Sequence, residues 1–214
     1  MQSEEDSRGG TRKPDDIPGS GKSDDTSFGM PWRIPLLFTC LLFLLALAAG
    51  MVISASQPDV GQTVLDFFKN AVSGEFKGDP AILLAGKIFA NNLQACILLF
   101  VGGATFGAVT GFILLSNGVL IGSIVELVRQ QQGIVFVLAA IVPHGIFEIP
   151  SFLLSGTLGF LLARSLLDEW HGQGDAALSA RRYGGLFLRY VVPLVAIAAI
   201  IEAFITPEVI RLVA

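Results

Sequence analysis

Long apolar stretches alternate with short polar segments along most of this chain. The hydrocarbon core of a bilayer is about 30 Å thick, and an α-helix of roughly 20 apolar residues crosses it. Residues 34–56 have this length and follow Trp32 and Arg33, residue types that anchor helices at the membrane interface. Residues 80–128 contain few charges and are long enough for two more spans. The pattern therefore predicts a protein that crosses the membrane several times.

Glycine and polar residues locate the turns between these spans. The sequence VGGATFG at 101–107 has the weakest helical character of the long run, so spans are predicted at about 81–101 and 104–128. A turn at 116–118 is the alternative, although it would leave only a short apolar piece after it. The sequence RQQQG at 129–133 is predicted to form the next loop.

The fourth apolar stretch, residues 134–167, is too long for a straight span. Proline removes a backbone donor and clashes with the preceding turn, so a break is predicted between Pro143 and Pro150. A polar loop is expected over 168–184 and a last span over 186–205. The predicted fold class is all-α: a polytopic membrane helix bundle of about five transmembrane helices with a broken fourth helix.

Two polar regions lie outside the spans. Residues 1–31 are rich in Gly, Ser, Asp and Pro and hold seven of the 18 acidic residues, which predicts a disordered, acidic Gly/Ser-rich tail before an integral membrane domain over 32–214. The tail lacks the basic start and apolar region of a cleavable signal peptide, so it is expected to be retained. Residues 57–79 are polar, and VLDFFKNAV within them predicts a short helix, either on the membrane surface or packed against the bundle.

Composition agrees with a lipid environment and excludes several functions. Hydrophobic residues make up 52% of the chain and the mean hydropathy is +0.67, which is too apolar for a water-soluble domain. A net charge of −4 without a basic run argues against nucleic-acid binding. Cys40 and Cys96 lie in apolar segments without the spacing of a metal site or a disulfide framework, and no cofactor is expected.

Basic residues at the ends of the spans predict the orientation of the chain. Five spans place the two termini on opposite faces of the membrane. Arg181, Arg182 and Arg189 cluster beside a span on the amino-terminal face, and basic residues in such positions favour the cytoplasm. The protein is therefore expected in the cell membrane with a cytoplasmic amino terminus and its carboxyl terminus outside.

Small residues predict closely packed helices. Five glycines recur at spacings that place them within about a 100° arc of one helix: Gly103, Gly107, Gly111, Gly118 and Gly122. Such a smooth face lets helix backbones approach each other in lipid. It is expected to pack within the monomer, with a contact between subunits of a homo-oligomer as the second interpretation. Ser155, Gly159 and Ala163 form a similar stripe in the fourth span.

Polar side chains inside the apolar runs are the candidate functional residues. A carboxylate at the bilayer centre costs at least ~3 kcal/mol on insertion scales, so Glu148 is the strongest candidate. His144 shares its helix face one turn earlier. Counting along three spans puts further polar side chains at a similar depth. The predicted intramembrane polar cluster consists of Asn91, Gln94, Asn117, His144 and Glu148.

A purely structural role for these residues stays open with similar weight. Asn and Gln side chains hydrogen-bond helices together, and His144 and Glu148 can satisfy backbone groups freed by a proline break. Glu126 with Arg129 is expected to form an ion pair at the end of a span, and Glu202 is expected near the membrane interface.

A catalytic metal centre is not predicted. His144 and Glu148 supply two ligands, whereas a catalytic zinc ion takes three from the protein, and His171 lies in a loop on the opposite face. The sequence also lacks a GxSxG motif and a phosphate-binding loop. The chain is therefore not expected to be an enzyme.

Several motifs resemble the stage II sporulation protein M family of integral membrane proteins. The most specific are the NN pair at 91 and 92, the NG at 117 and 118, and PHGxxExP from Pro143 to Pro150, within a resemblance over about residues 34–210. It implies a five-span protein. In spore-forming bacteria the namesake works during engulfment in a membrane complex with peptidoglycan-degrading partners, and supplies the membrane component rather than the hydrolytic activity.

Two hypotheses on function emerge from these observations. The first is a non-enzymatic membrane scaffold or component of a multiprotein complex, whose partners are the lipid bilayer and other membrane or envelope proteins. The alternative is a small transporter or channel subunit with a polar site inside the bundle, as broken helices provide in carriers. Because 214 residues are few for a transport path, the alternative also requires an oligomer.

Overall fold

The computed structural model describes residues 32–57, 59, 61–63 and 80–213. This part of the chain is helical, without strands, and five of its helices are long and apolar enough to cross a membrane. The predicted all-α membrane bundle is confirmed. The predicted tail at 1–31 and the amphipathic helix at 64–72 lie outside the described residues.

The first three long helices agree with the predicted spans: α1 is Arg33–Ser56, α2 is Ala81–Val101 and α3 is Ala108–Gln132. A 3₁₀ turn, Gly102–Thr105, leads from α2 to Phe106 and Gly107, both with positive φ. Gly107, at φ 84°, adopts this left-handed conformation without steric cost. The turn predicted at 101–107 is confirmed, and the alternative turn at 116–118 is wrong because those residues lie within α3.

The fourth helix, α4, is Ile134–Trp170 and has 37 residues, about 55 Å at 1.5 Å per residue. Pro143 and Pro150 lie inside it, so the predicted break between them is wrong. Membrane helices tolerate proline where neighbouring helices support the backbone, and α4 packs against α2, α3 and the last span. Gly133 alone, at φ 86°, joins α3 to α4, so the loop predicted at 129–133 is mostly the last turn of α3.

The fifth span, Ala176–Arg211, is a series of helical segments. They are α5 (Ala176–Leu186), a π-helical turn (Phe187–Val191), α6 (Val192–Phe204) and α7 (Thr206–Arg211). Residues 168–170 and 176–184 of the loop predicted at 168–184 are therefore helical. The Asp175 carboxylate starts α5 by accepting a hydrogen bond from the Leu178 backbone N–H at 2.8 Å, which satisfies one of the free donors of a helix amino terminus.

The core consists of two apolar clusters between the helices. The larger joins α2 and α4 to the last span through Cys96, Leu158, Leu161, Phe187, Val191 and Val195. The smaller joins α1, α2 and α3 through Phe43, Leu99 and Leu114. Many other large apolar side chains of the spans are exposed on the outside of the bundle, as expected for helices surrounded by lipid.

The five predicted packing glycines fall in different environments. Gly118 and Gly122 lie in α3 against α1, where a Cβ at Gly122 would meet the Leu47 carbonyl oxygen. Gly103 and Gly107 precede α3, and Gly103 packs on the backbone of Gly159 in α4. Gly111 lies in α3 but has no atom within 4 Å of its Cβ direction. The close contacts therefore join α3 to α1 and the turn before α3 to α4, rather than forming one continuous face.

Candidate functional site

Three side chains that can bind a metal ion converge inside the bundle. They are His144 and Glu148 of α4 and Glu202 of α6, and one ligand atom from each lies within 4.8 Å of the others. His144 Nε2 is 3.6 Å from Glu148 Oε2. We refer to these three residues as the His/Glu/Glu cluster.

Local helix geometry and helix packing each contribute to the cluster. His144 and Glu148 are four residues apart, so both side chains project from the same face of α4. Glu202 comes from α6, which packs against α4. The sequence spacing indicated the first two residues, whereas Glu202 lies 54 positions after Glu148. Helix packing turns the Glu202 carboxylate towards the cluster, and its position near the membrane interface stays a prediction.

Thr206, the first residue of α7, orients the His144 ring. The Thr206 hydroxyl donates to the Ile201 carbonyl oxygen at 3.3 Å, and its oxygen lies 3.4 Å from His144 Nδ1. With its hydrogen directed to Ile201, the Thr206 hydroxyl can accept a hydrogen bond from Nδ1 in the tautomer that carries the ring proton there. In that tautomer the lone pair is on Nε2, the atom 3.6 Å from Glu148 Oε2.

His144 and Glu148 lie away from the ends of α4, whereas Glu202 is two residues before the end of α6. His144 and Glu148 come ten and 14 residues after Ile134, which corresponds to about 15 and 21 Å along α4. The side chains are only partly enclosed, since His144 is 15% exposed and Glu148 is 33% exposed. The cluster is therefore partly exposed at the surface of the bundle.

The other residues of the predicted polar cluster lie elsewhere. Asn117 in α3 donates its side-chain amide to the Ile113 carbonyl oxygen of its own helix at 2.9 Å. Asn91 and Gln94 are exposed on the outer face of α2, where the Asn91 amide contacts Asn92 Oδ1 at 3.4 Å. The structure brings His144 and Glu148 together and adds Glu202 in place of the three amides.

A second polar site occurs near the end of α3. Glu126 is buried, with 4% exposure, and its two carboxylate oxygens accept hydrogen bonds from Arg129 Nε at 2.8 Å and Nη2 at 2.7 Å. Gln130 Nε2 donates to the same carboxylate at 2.8 Å. This ion pair forms one turn from the end of the helix and is separate from the His/Glu/Glu cluster.

The fold and the site define a class: a polytopic α-helical membrane protein with a histidine and two carboxylates inside its bundle. Within this class the chain belongs to the family described as stage II sporulation protein M, which it matches over residues 39–207. All three cluster residues and Thr206 fall within the match. The family resemblance of the NN, NG and PHGxxExP motifs is thereby confirmed.

The chain is also similar to a protein of Methanocaldococcus jannaschii described as uncharacterized. The two are 28% identical over 181 residues, which are 83% of this chain and 96% of the relative. No solved structure matches the chain.

Proposed function

We propose that the chain is a non-enzymatic membrane component that assembles with a helix of another membrane protein through the outer face of α2. The observation that carries the proposal is the exposure of Asn91 and Gln94, the eleventh and fourteenth of the 21 residues of α2. Membership of a family whose namesake works in a membrane complex is consistent with this function.

Two amide side chains in the middle of a span are costly if they face lipid. No residue of the described chain hydrogen-bonds to the Gln94 side chain, and the Asn91 contact with Asn92 is long. Exposed Leu83 and Leu98 lie on either side of the two amides, and Lys87 lies one turn before Asn91 on the same face. Amides in hydrocarbon gain about 1 kcal/mol by bonding to a neighbouring helix, so this face favours a helical partner.

Small residues on the same face would let a partner helix approach closely. Gly86 has no atom within 4 Å of its Cβ direction, and Ala90, one turn later, is exposed. Small residues four apart are the spacing at which membrane helices dock backbone to backbone. Gly86, Ala90, Asn91 and Gln94 together form what we call the α2 docking face.

Removing the amides should abolish assembly. We expect the wild-type chain, purified in mild detergent, to retain partner membrane proteins that the Asn91→Leu/Gln94→Leu variant loses. Ser116→Leu in α3 is the matched control, because Ser116 is also exposed but bonds to the Phe112 carbonyl oxygen of its own helix at 2.8 Å. Recovery of only the isolated wild-type chain, or equal loss with Ser116→Leu, would contradict the proposal, and recovery of a homo-oligomer would make a second copy the partner.

We further propose that the amino terminus is cytoplasmic. Trp32 contacts Tyr183 with ring centroids 6.4 Å apart, which places the start of α1 beside the Arg181 and Arg182 pair. Basic residues at a membrane boundary favour the cytoplasmic side. A reporter enzyme that is active only in the cytoplasm is expected to be active when fused before Trp32 and inactive when fused after Ala214, and the reverse pattern would contradict this orientation.

The transport hypothesis has one observation in its favour, the His/Glu/Glu cluster, because intramembrane carboxylates often mark ion or proton pathways. A measurement of ion flux into liposomes that contain the protein distinguishes the transport hypothesis from assembly. Flux that is lost in Glu148→Gln would support transport, whereas absent or unchanged flux would leave assembly as the function.

A further inference from the structure

The His/Glu/Glu cluster directs three side chains, each with an atom that can bind a metal ion, towards one shared space. In the tautomer of His144 that donates from Nδ1 to Thr206 Oγ1, the Nε2 lone pair faces Glu148. Ionised carboxylates accept hydrogen bonds and do not donate them. Two ionised carboxylates and an imidazole lone pair within 4.8 Å of one another repel in a medium of low dielectric constant. A cation between the three groups would remove this repulsion.

We propose that His144, Glu148 and Glu202 bind one first-row divalent transition-metal ion. The proposal concerns a site that is independent of the α2 docking face. It assigns His144 Nε2 and one oxygen of each glutamate as the three protein ligands.

The distances fit a metal ion of this class. Two ligand atoms that are each ~2.1 Å from a tetrahedral zinc ion are about 3.4 Å apart. The 3.6 Å between His144 Nε2 and Glu148 Oε2 is close to this value. The widest spacing within the cluster is at most 4.8 Å, so a side-chain rotation that shifts one carboxylate by up to about 1.4 Å brings it to this spacing.

The ligand types select among cations. Imidazole nitrogen suits Zn²⁺, Fe²⁺ and similar ions, whereas Mg²⁺ and Ca²⁺ prefer oxygen ligands alone. One nitrogen and two carboxylate oxygens therefore favour a transition-metal ion, and the two negative charges balance its charge inside the membrane. Thr206 is a positioning residue: it accepts from His144 Nδ1 and so presents Nε2 to the ion, as partners of metal-bound histidines do.

Zinc binding by the full-length protein tests the proposal. The protein is purified in detergent, treated with a chelator and dialysed against ZnCl₂, and its zinc content and affinity are measured. We expect one Zn²⁺ per chain that excess Mg²⁺ does not displace. Glu148→Gln and Glu202→Gln, which keep side-chain size, should each weaken binding by about tenfold or more. Glu208→Gln should leave affinity unchanged, because Glu208 is exposed and pairs with Arg211 at 2.6 Å.

Zinc binding by variants of Thr206 tests whether this residue positions His144 for the metal ion. A residue that only stabilises the fold would not show the pattern expected. Thr206→Val should weaken zinc binding by about tenfold, and Thr206→Ser should restore it, because serine keeps the acceptor oxygen. Size-exclusion profiles recorded without metal identify any variant that fails to fold.

A measurement on the wild-type protein does not depend on the variants. X-ray absorption of the zinc-loaded chain should show nitrogen and oxygen ligands at ~2.0–2.1 Å and no sulfur at ~2.3 Å. Sulfur ligands, no zinc bound to the folded wild type, or full affinity in Glu202→Gln would overturn the proposal. The last two results would leave protons as the cations that balance the cluster.

Discussion

Replacing Gly159 by alanine is expected to lower the free energy of unfolding by about 3 kcal/mol, an effect large enough to reduce the yield of folded protein. A Cβ at Gly159 would meet the Leu99 carbonyl oxygen and would lie 2.8 Å from Thr110 Oγ1. These two atoms already share a hydrogen bond of 2.9 Å, so neither can move away without losing it. The Gly159 carbonyl oxygen in turn lies where a Cβ atom on Gly103 would be, so the two backbones are in close contact. The added methyl group must therefore separate α4 from α2 and α3.

The matched controls are expected to keep or raise the free energy of unfolding. Gly111→Ala and Gly86→Ala add the same methyl group to helical positions with no atom within 4 Å. Alanine is a better helix former than glycine by roughly 1 kcal/mol, so these variants should be as stable as the wild type or more stable. Thermal unfolding in detergent measures all three. Equal stability of Gly159→Ala and Gly111→Ala would contradict the packing described for α4.

Replacing Arg129 by methionine is expected to lower the melting temperature by about 6 °C. Arg129 supplies two of the three hydrogen bonds that the buried Glu126 carboxylate accepts. Without Arg129 a negative charge stays buried with Gln130 as its remaining partner, and an unpaired buried charge is strongly destabilising.

Replacing Glu126 by glutamine should have less than half of this effect. The Arg129 side chain is 46% exposed and can be hydrated when its partner is gone, whereas the Glu126 side chain is 6% exposed and cannot. The Glu126→Gln/Arg129→Met double variant should regain most of the stability lost in Arg129→Met. Melting temperatures of the three variants in one detergent provide the comparison, and two single variants of equal effect would count against this asymmetry.

Local sequence features predicted most of the membrane-spanning elements. The apolar lengths located α1, α2 and α3, and Gly107 marked the turn between the last two. The same reasoning failed where local signals opposed each other. Pro143 and Pro150 predicted a break that α4 does not have. Each proline removes one backbone donor, and the loss of one donor does not end a helix that neighbouring helices support on several sides. The polar residues of α5 predicted a loop, but they form a helix that Asp175 caps.

The candidate site shows the same division between local and distant information. Helical periodicity alone placed His144 and Glu148 on one face, which is a property of a single helix. The periodicity of α6 gave no sign that Glu202 would join them, since that depends on which face of α6 meets α4. The sequence placed Asn91 and Gln94 in the middle of α2, but whether they point inward or outward depends on the position of α2 among its neighbours.

The sequence by itself thus determined the number of spans, most of their boundaries and the family, because hydropathy, helical period and motifs are properties of neighbouring residues. Only the tertiary structure decided which glycines allow close contact and which acids share one site. Gly111 and Gly159 have similar sequence surroundings, yet one faces open space and the other a backbone carbonyl. The reason is that helix packing selects one face of each helix, and residues far apart in the chain determine that selection.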